Sequence, residues 1–265
     1  MKGVHAWTLV DGSFREGADV PVSDRGFRYG MSVFETVAVQ NGKMLFLEEH
    51  LAALSAACKA AGFQGEPAHA IKELPDLPDG LLRIYVTAGD GALTGSASHG
   101  RTFVYFEPVE FPGREEIKRG FRLGVTPTPF VTVLGGWKTG NYWPNVRALR
   151  LARENRFDET LIVNIEKVVI SAAMANIFFL IDGILQTPAA DTGVRQGVVR
   201  QWIMRMRSVR EGRLLLEDIS AAEECFLTNS RLGVMPVSHI EGRPLPSRST
   251  GEALAGLYRE RILQQ

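Results

Sequence analysis

The sequence is short of the side chains that build disulfide frameworks and metal centres. It has two cysteines in 265 residues, Cys58 and Cys225. They lie far apart with no Cys-x-x-Cys spacing, which predicts a reduced, buried pair and excludes a redox motif or a zinc knuckle. The five histidines (His5, His50, His69, His99 and His239) are scattered, and no metal-ligand pattern emerges from them. An excess of one charge is also missing: 30 Lys and Arg balance 30 Asp and Glu. Neither nucleic acid nor an anionic membrane is therefore indicated as a partner. No stretch approaches the roughly 20 apolar residues that span a bilayer. The start, Met1-Lys2-Gly3-Val4-His5-Ala6-Trp7, has no apolar core of signal-peptide length. A cytoplasmic chain is expected, and internal repeats and low-complexity tracts are lacking as well.

What is present suits a globular enzyme, with 45% hydrophobic and 23% charged residues. The segment Glu107-Pro108-Val109-Glu110-Phe111-Pro112-Gly113-Arg114 carries two prolines, a glycine and charge, and reads as a connection. The expected division is a small N-terminal α+β domain over 1–110, a linker over 111–118 and a larger C-terminal domain over 119–265. In the first part, Trp7 to Val10, Val33 to Val39, Leu82 to Thr87 and Thr102 to Phe106 alternate like strands, and Asn41-Gly42 marks a hairpin. Glu48 to Ala61 places Leu51, Leu54, Cys58 and Ala61 at helical spacing. In the second part, Phe121 to Val125 and Glu159 to Asn164 are strand-like. Asn176 to Leu185 reads as two short strands around Asp182-Gly183, and Trp143 to Asn155, Val198 to Val209 and Thr250 to Leu263 follow a helical period.

Two segments carry chemistry. Lys138 lies in Gly135-Gly136-Trp137-Lys138-Thr139-Gly140-Asn141-Tyr142-Trp143-Pro144-Asn145, between glycines and aromatics. An amine withdrawn from water there can lose its proton and form a Schiff base. Further on, Asp191-Thr192-Gly193-Val194-Arg195-Gln196-Gly197-Val198-Val199-Arg200 reads as a glycine-bearing loop opening a helix. Unsatisfied backbone N–H groups and the helix dipole favour phosphate at such a place. Taken singly, a lysine among glycines is also what a solvated loop looks like, and Gly-x-x-x-Gly what a turn looks like. Together they suggest pyridoxal phosphate.

The order and wording of several segments resemble the class IV aminotransferase family, the fold-type IV group of pyridoxal phosphate enzymes. The group includes branched-chain and D-amino-acid aminotransferases and 4-amino-4-deoxychorismate lyase. The resemblance is carried by Asp24-Arg25-Gly26-Phe27-Arg28-Tyr29-Gly30, Val33-Phe34-Glu35-Thr36, Phe46-Leu47-Glu48-Glu49-His50-Leu51, Lys138-Thr139-Gly140-Asn141-Tyr142 and Ala175-Asn176-Ile177-Phe178. It continues through Gly193 to Arg200 and Glu224-Cys225-Phe226-Leu227-Thr228-Asn229-Ser230, and ends at Val234-Met235-Pro236-Val237. It implies an α/β (α+β two-domain) chain with the D-amino-acid aminotransferase-like fold, the cofactor in the cleft between domains, and a homodimer whose neighbouring subunit completes the site. Lys138 matches the family's catalytic lysine. Tyr142 matches the tyrosine at the cofactor's 3′-oxygen; Gly197, Val198, Val199 and Ser230 match phosphate-binding positions. Arg28, Tyr29 and Thr36 are candidates for meeting a substrate carboxylate and equally fit as loop and strand residues. Gly89 to Gly95 is a candidate specificity loop.

Three positions depart from the family's pattern. Ala53 stands where many relatives have an arginine on the phosphate, and Val199 replaces a threonine hydroxyl. Ser171 stands where relatives have a glutamate on the pyridine nitrogen. Hydrogen bonds to charged groups contribute about 1.5–3 kcal/mol each, so the first two losses weaken cofactor binding by factors on the order of tens to thousands, unless Arg195 substitutes. Ser171 cannot keep the pyridine nitrogen protonated as a carboxylate does, which makes a poorer electron sink. Transamination suffers most from that. Conversion of 4-amino-4-deoxychorismate to 4-aminobenzoate and pyruvate is helped by formation of an aromatic ring, and Thr228-Asn229-Ser230-Arg231-Leu232-Gly233-Val234-Met235-Pro236 is lyase-like in wording. Three readings stay open here: a lyase of that type, which is favoured; a branched-chain or D-amino-acid transaminase; and a degenerate member with weak or no cofactor binding. The partner expected in the first two is a small amine or amino acid.

Overall fold

The computed structural model describes residues 3–64, 70–95, 100–130, 134 and 136–264. It divides into two compact units, one running to Phe111 and taking in Trp137–Asn141, the other built from Pro112–Gly136 and Tyr142–Gln264.

The first unit contains β1 (His5–Val10), β2 (Ser13–Glu16), α1 (Arg25–Tyr29), β3 (Ser32–Gln40), β4 (Lys43–Met44), α2 (Leu47–Ala61), β5 (Gly80–Thr87) and β6 (Thr102–Pro108). Its strands form one antiparallel sheet in the order β2-β1-β6-β5-β3-β4. The period of two divides each strand between the faces. Val33, Val37 and Val39 of β3 join Leu82, Ile84 and Val86 of β5, and Val104 and Phe106 of β6, in a core that α2 closes with Leu51, Leu54 and Cys58. Each such side chain, once buried, contributes about 1.5–3 kcal/mol. Phe34, Thr36, Arg83, Tyr85 and Tyr105, at the intervening positions, belong to the other face. Asn41 and Gly42, at φ 52° and 73°, make the two-residue turn that pairs Gln40 with Lys43. Gly62, at φ 69°, ends α2 and donates back to Cys58 and Lys59 carbonyls.

The second unit contains α3 (Arg114–Arg119), β7 (Phe121–Val125), α4 (Trp143–Glu154), β8 (Glu159–Val163), β9 (Val169–Ala172), β10 (Asn176–Ile181), β11 (Ile184–Pro188), α5 (Val198–Met206), β12 (Arg210–Gly212), β13 (Glu224–Asn229), β14 (Gly233–Ile240), β15 (Arg243–Pro244) and α6 (Ser249–Gln264). The sheet order is β12-β11-β10-β13-β14-β7-β8-β9, with β15 on β14. Strand β7 runs parallel to both neighbours. Residues 111–118, expected as a linker, include most of helix α3. Glu115 and Glu116 in its first turn and Lys118 and Arg119 in its last complement the helix dipole and outweigh the flanking Pro112 and Gly113. On β13, Cys225 and Leu227 enter the main core. Phe226 and Thr228 therefore face the side on which α5 and α6 pack.

Candidate functional site

Lys138 is held on the first unit's sheet by its backbone. Its carbonyl accepts from the Phe34 N–H at 2.9 Å, Thr139 bridges to Val33, and the Gly140 N–H donates to the Ser32 carbonyl at 3.0 Å. A side chain on Gly140 would collide with the Ser32 hydroxyl, so glycine is what allows the approach. The segment thus extends the sheet at β3, and the Lys138 Nζ lies 4.4 Å from the centroid of the Phe34 ring. Thr36 shares that face of β3, two positions along. Arg28 and Tyr29 do not: they are exposed on the short helix α1, with the Arg28 guanidinium 4.7 Å from the Tyr29 ring centroid. The next residue in the motif, Gly30, ends α1 in the left-handed region at φ 68°.

The loop from Gly89 to Gly95 is organised by a fully buried arginine. Arg25 donates to the carbonyls of Ala88 at 2.6 Å, Gly89 at 3.2 Å, Ala92 at 3.2 Å and Gly95 at 2.7 Å. Four backbone acceptors on one guanidinium anchor the loop, and its own Asp90 adds bonds accepted from Ser23 Oγ at 2.7 Å and Arg101 at 2.5 Å.

In the second unit, the remaining candidates gather at one end of the sheet. Asn176 opens β10 and pairs with Thr228 of β13, so the two side chains share a face. Asn176 Nδ2 donates to the Arg195 carbonyl at 2.7 Å, and a Cβ on Gly197 would overlap Asn176 Oδ1. Gly197 caps α5, whose first-turn amides at Val198 and Val199 have no acceptor within the helix. Ser230 lies in the turn between β13 and β14, where Asn229 Oδ1 accepts from Leu232 N–H at 2.7 Å. Ser171, half-buried on β9, is paired with Ile162. Tyr142, also half-buried, precedes α4 and accepts from the Val146 N–H at 3.1 Å. Arg200 points elsewhere: fully buried, it bonds the Pro188 carbonyl at 3.0 Å and reaches Gln196 and Glu211. It ties α5 to β11 and β12 and leaves the helix N-terminus to the amides.

In the sequence Glu159 reads only as the start of a strand, whereas its buried carboxylate controls the turn between β9 and β10. It accepts from the N–H groups of Thr160 at 2.9 Å, Ala173 at 3.1 Å and Met174 at 3.1 Å. Asn145 of α4 holds the Ala173 carbonyl at 2.8 Å, and Asn229 holds the Met174 carbonyl at 2.9 Å. Three elements thereby pin one apolar turn beside Ser171 and Asn176. The only sequence signal was a carboxylate opening an otherwise apolar strand. Burial pushes the Glu159 carboxyl up to about 7, outweighing the three N–H donors that pull it down. Because its folded value lies above the ordinary 4.5, the unfolded chain releases this proton first. Glu159 therefore adds stability that is complete below about pH 4.5 and lost as pH rises through about 7, on the order of 3 kcal/mol in all. Urea unfolding of the wild type and Glu159→Gln across that range is expected to show the wild type losing stability relative to the variant as pH rises. A difference independent of pH would contradict the assignment.

The model of the family described as amino-transferase class IV matches residues 32–240. The chain belongs to that family. Its members depend on pyridoxal phosphate, and the enzyme class follows with the family. The chain is similar to a Listeria monocytogenes D-alanine aminotransferase, 28% identical with 94% of this chain and 93% of the relative covered. It is similar also to a Bacillus subtilis aminodeoxychorismate lyase, 28% identical with 94% and 91% covered. A crystal structure of the branched-chain aminotransferase of Thermoproteus uzoniensis shares the fold, with a TM-score of 0.85 at 22% identity over 98% of this chain and 95% of the other. The two-sheet architecture is thus fold-type IV.

The residues present fit the cofactor's phosphate. A methyl group at the capping Gly197 would collide with Asn176 Oδ1, so glycine is what lets Asn176 pack against the α5 N-terminus and leaves its amides uncrowded by a side chain. The Thr228 Oγ1 and Gln196 Nε2, beside that N-terminus, are buried and have no hydrogen-bond partner among the described residues. Buried polar atoms without partners are rare, and a bound anion is one way to satisfy them. Both cysteines are buried and free, and burial pushes the Cys58 thiol up to about 11, which leaves it unreactive. Among the described residues no group of histidine, cysteine and carboxylate side chains could hold a metal, and no helix is long and apolar enough to cross a membrane.

Proposed function

We propose that this chain is a pyridoxal phosphate lyase that converts 4-amino-4-deoxychorismate to 4-aminobenzoate and pyruvate, with Lys138 as its catalytic residue. When bound, the cofactor supplies an aldehyde to link an amine and a ring that withdraws electrons from the substrate carbon. Lys138 would hold the cofactor through its amine and, when that amine is free, would move a proton to or from the substrate carbon. The amides of Val198 and Val199 receive the phosphate, aided by Ser230 and the dipole of α5. Tyr142 would hydrogen-bond the ring oxygen. Arg28, Tyr29 and Thr36 remain candidates for the substrate carboxylate. A homodimer is part of the proposal.

Ser171 carries the choice of reaction. The turn that follows it offers Ala172, Ala173, Met174 and Ala175, so it brings no side-chain carboxylate, and Glu159 is committed to three backbone N–H groups. A hydroxyl at 171 leaves the ring nitrogen unprotonated, which burdens a transaminase more than a reaction driven by aromatisation. Amino-acid transamination is the second reading, because a D-alanine aminotransferase matches this chain at the same 28% identity as the lyase. Single-turnover spectra with L-alanine, D-alanine and aminodeoxychorismate separate them, with 4-aminobenzoate followed by fluorescence. Ser171→Glu is expected to accelerate half-transamination about tenfold or more, the effect of one charged hydrogen bond, and to change lyase turnover less. Brisk transamination by the unmodified protein without 4-aminobenzoate would replace the lyase reading with the transaminase one.

A further inference from the structure

The face of the first unit's sheet opposite α2 is aromatic where Lys138 meets it. Phe34 is paired with Tyr85 across β3 and β5, and their rings stack at 4.9 Å between centroids with an interplanar angle of 19°. Phe34 is 5% exposed, so its ring cannot swing away. The backbone bond from Phe34 N–H to the Lys138 carbonyl and the bridge between Val33 and Thr139 fix the register that sets the lysine over the ring. An aromatic face is the negative end of the ring's quadrupole, so it attracts an ammonium and does nothing for a neutral amine. Burial pushes the Tyr85 phenol above its ordinary value, so the ring beneath Phe34 stays uncharged. Arg83, a cation on the same face, is tied to Glu107 at 2.7 Å.

We propose that the Phe34 ring, backed by Tyr85, is a seat for the Lys138 ammonium, which makes Phe34 a positioning residue for the lysine that carries the proton. The inference rests on the reading of Lys138 as the catalytic lysine. Once displaced from the cofactor, Lys138 Nζ accepts the proton from the substrate carbon, while the electron pair of that C–H bond stays with the substrate. The resulting ammonium is the form the ring holds. The seat keeps the charged amine in one place until the proton is returned, instead of letting a four-carbon chain carry it into solvent. It also acts when no cofactor is bound, by holding the lysine as a poor nucleophile.

The test uses cofactor-free protein. Trace acetic anhydride acetylates amines only in their neutral form, and peptide mapping gives the rate at Lys138 relative to Lys59, which is exposed at the end of α2. Phe34→Leu is expected to raise the relative rate at Lys138 about three- to tenfold, and Phe34→Trp to leave it at or below the wild-type rate. Phenylalanines with one, two and three ring fluorines at position 34 keep the shape and weaken the quadrupole. They guard against a folding defect in the leucine variant, and should raise the rate in steps. Equal rates across the fluorine series, or a rise in Phe34→Trp matching that in Phe34→Leu, would overturn the seat. Borohydride reduction of the cofactor-loaded wild type separately identifies the lysine that binds pyridoxal phosphate, so a failure of the lysine assignment is distinguishable from a failure of the seat.

Discussion

Lys138→Ala is expected to lower turnover by on the order of ten-thousandfold and to remove the visible absorption of the loaded protein. The size follows from the two proposed roles being lost together. A positioned proton carrier contributes about 10²–10⁴-fold by itself. The covalent link to the cofactor, which divides one hard step into two easier ones, disappears as well. The fold should survive, because the contacts that hold the segment are made by backbone groups of Lys138, Thr139 and Gly140 and not by the lysine side chain. Thermal unfolding of the cofactor-free variant should therefore match the wild type closely. Added primary amines such as ethylamine should restore a fraction of the turnover by replacing the missing proton carrier. In the wild type, borohydride should fix the cofactor to the peptide that contains Lys138. Attachment to another lysine, or unimpaired turnover in the alanine variant, would remove the basis of the proposed function.

Much of the fold was legible in the sequence, because the physics that sets it is local. Alternation marked β3, β5, β6 and β8. Asn41-Gly42 and Asp182-Gly183 marked two hairpins, and all four of these residues have positive φ. The helices α2, α4, α5 and α6 followed their apolar spacing. Helix α1 was not legible: at five residues it is too short for a period to register, and it depends on Asp24, whose carboxylate accepts from Gly26 N–H at 2.7 Å and from Thr87 Oγ1 and Arg101. Helix α3 was hidden by the proline and glycine beside it.

The candidate site was legible by residue type and not by direction. Lys138 and the opening of α5 could be picked out from composition around them, since glycines and a helix start are sequence features. Which way Arg200 turns is decided by Glu211 and Pro188, and nothing in the helix itself records that. Glu159, Asn145 and Asn229 meet at one turn from three separate elements, so only the folded chain shows them acting together. Phe34 could be assigned to a strand from the sequence. Its place under the lysine follows from the bridge between Val33 and Thr139, which depends on the chain returning to β3.

Gly197→Ala should be the most damaging small change in the second unit. Asn176 is 6% exposed and spends its Nδ2 on the Arg195 carbonyl at 2.7 Å, so it cannot rotate away from a new methyl group without breaking that bond. A buried hydrogen bond left unmade costs about 1–3 kcal/mol, and the alternative is a shift of the α5 N-terminus by the width of the overlap. In either case the Val198 and Val199 amides no longer sit where the proposed phosphate site requires them. Affinity for pyridoxal phosphate is expected to fall about ten- to hundredfold, measured by titrating the cofactor-free protein. Affinity for pyridoxal, which has no phosphate, should change by less than about threefold, since the helix N-terminus acts on the anion alone. That contrast is the decisive part. Equal losses for the two compounds would show that the substitution disturbs the unit at large and that α5 is not where the phosphate binds.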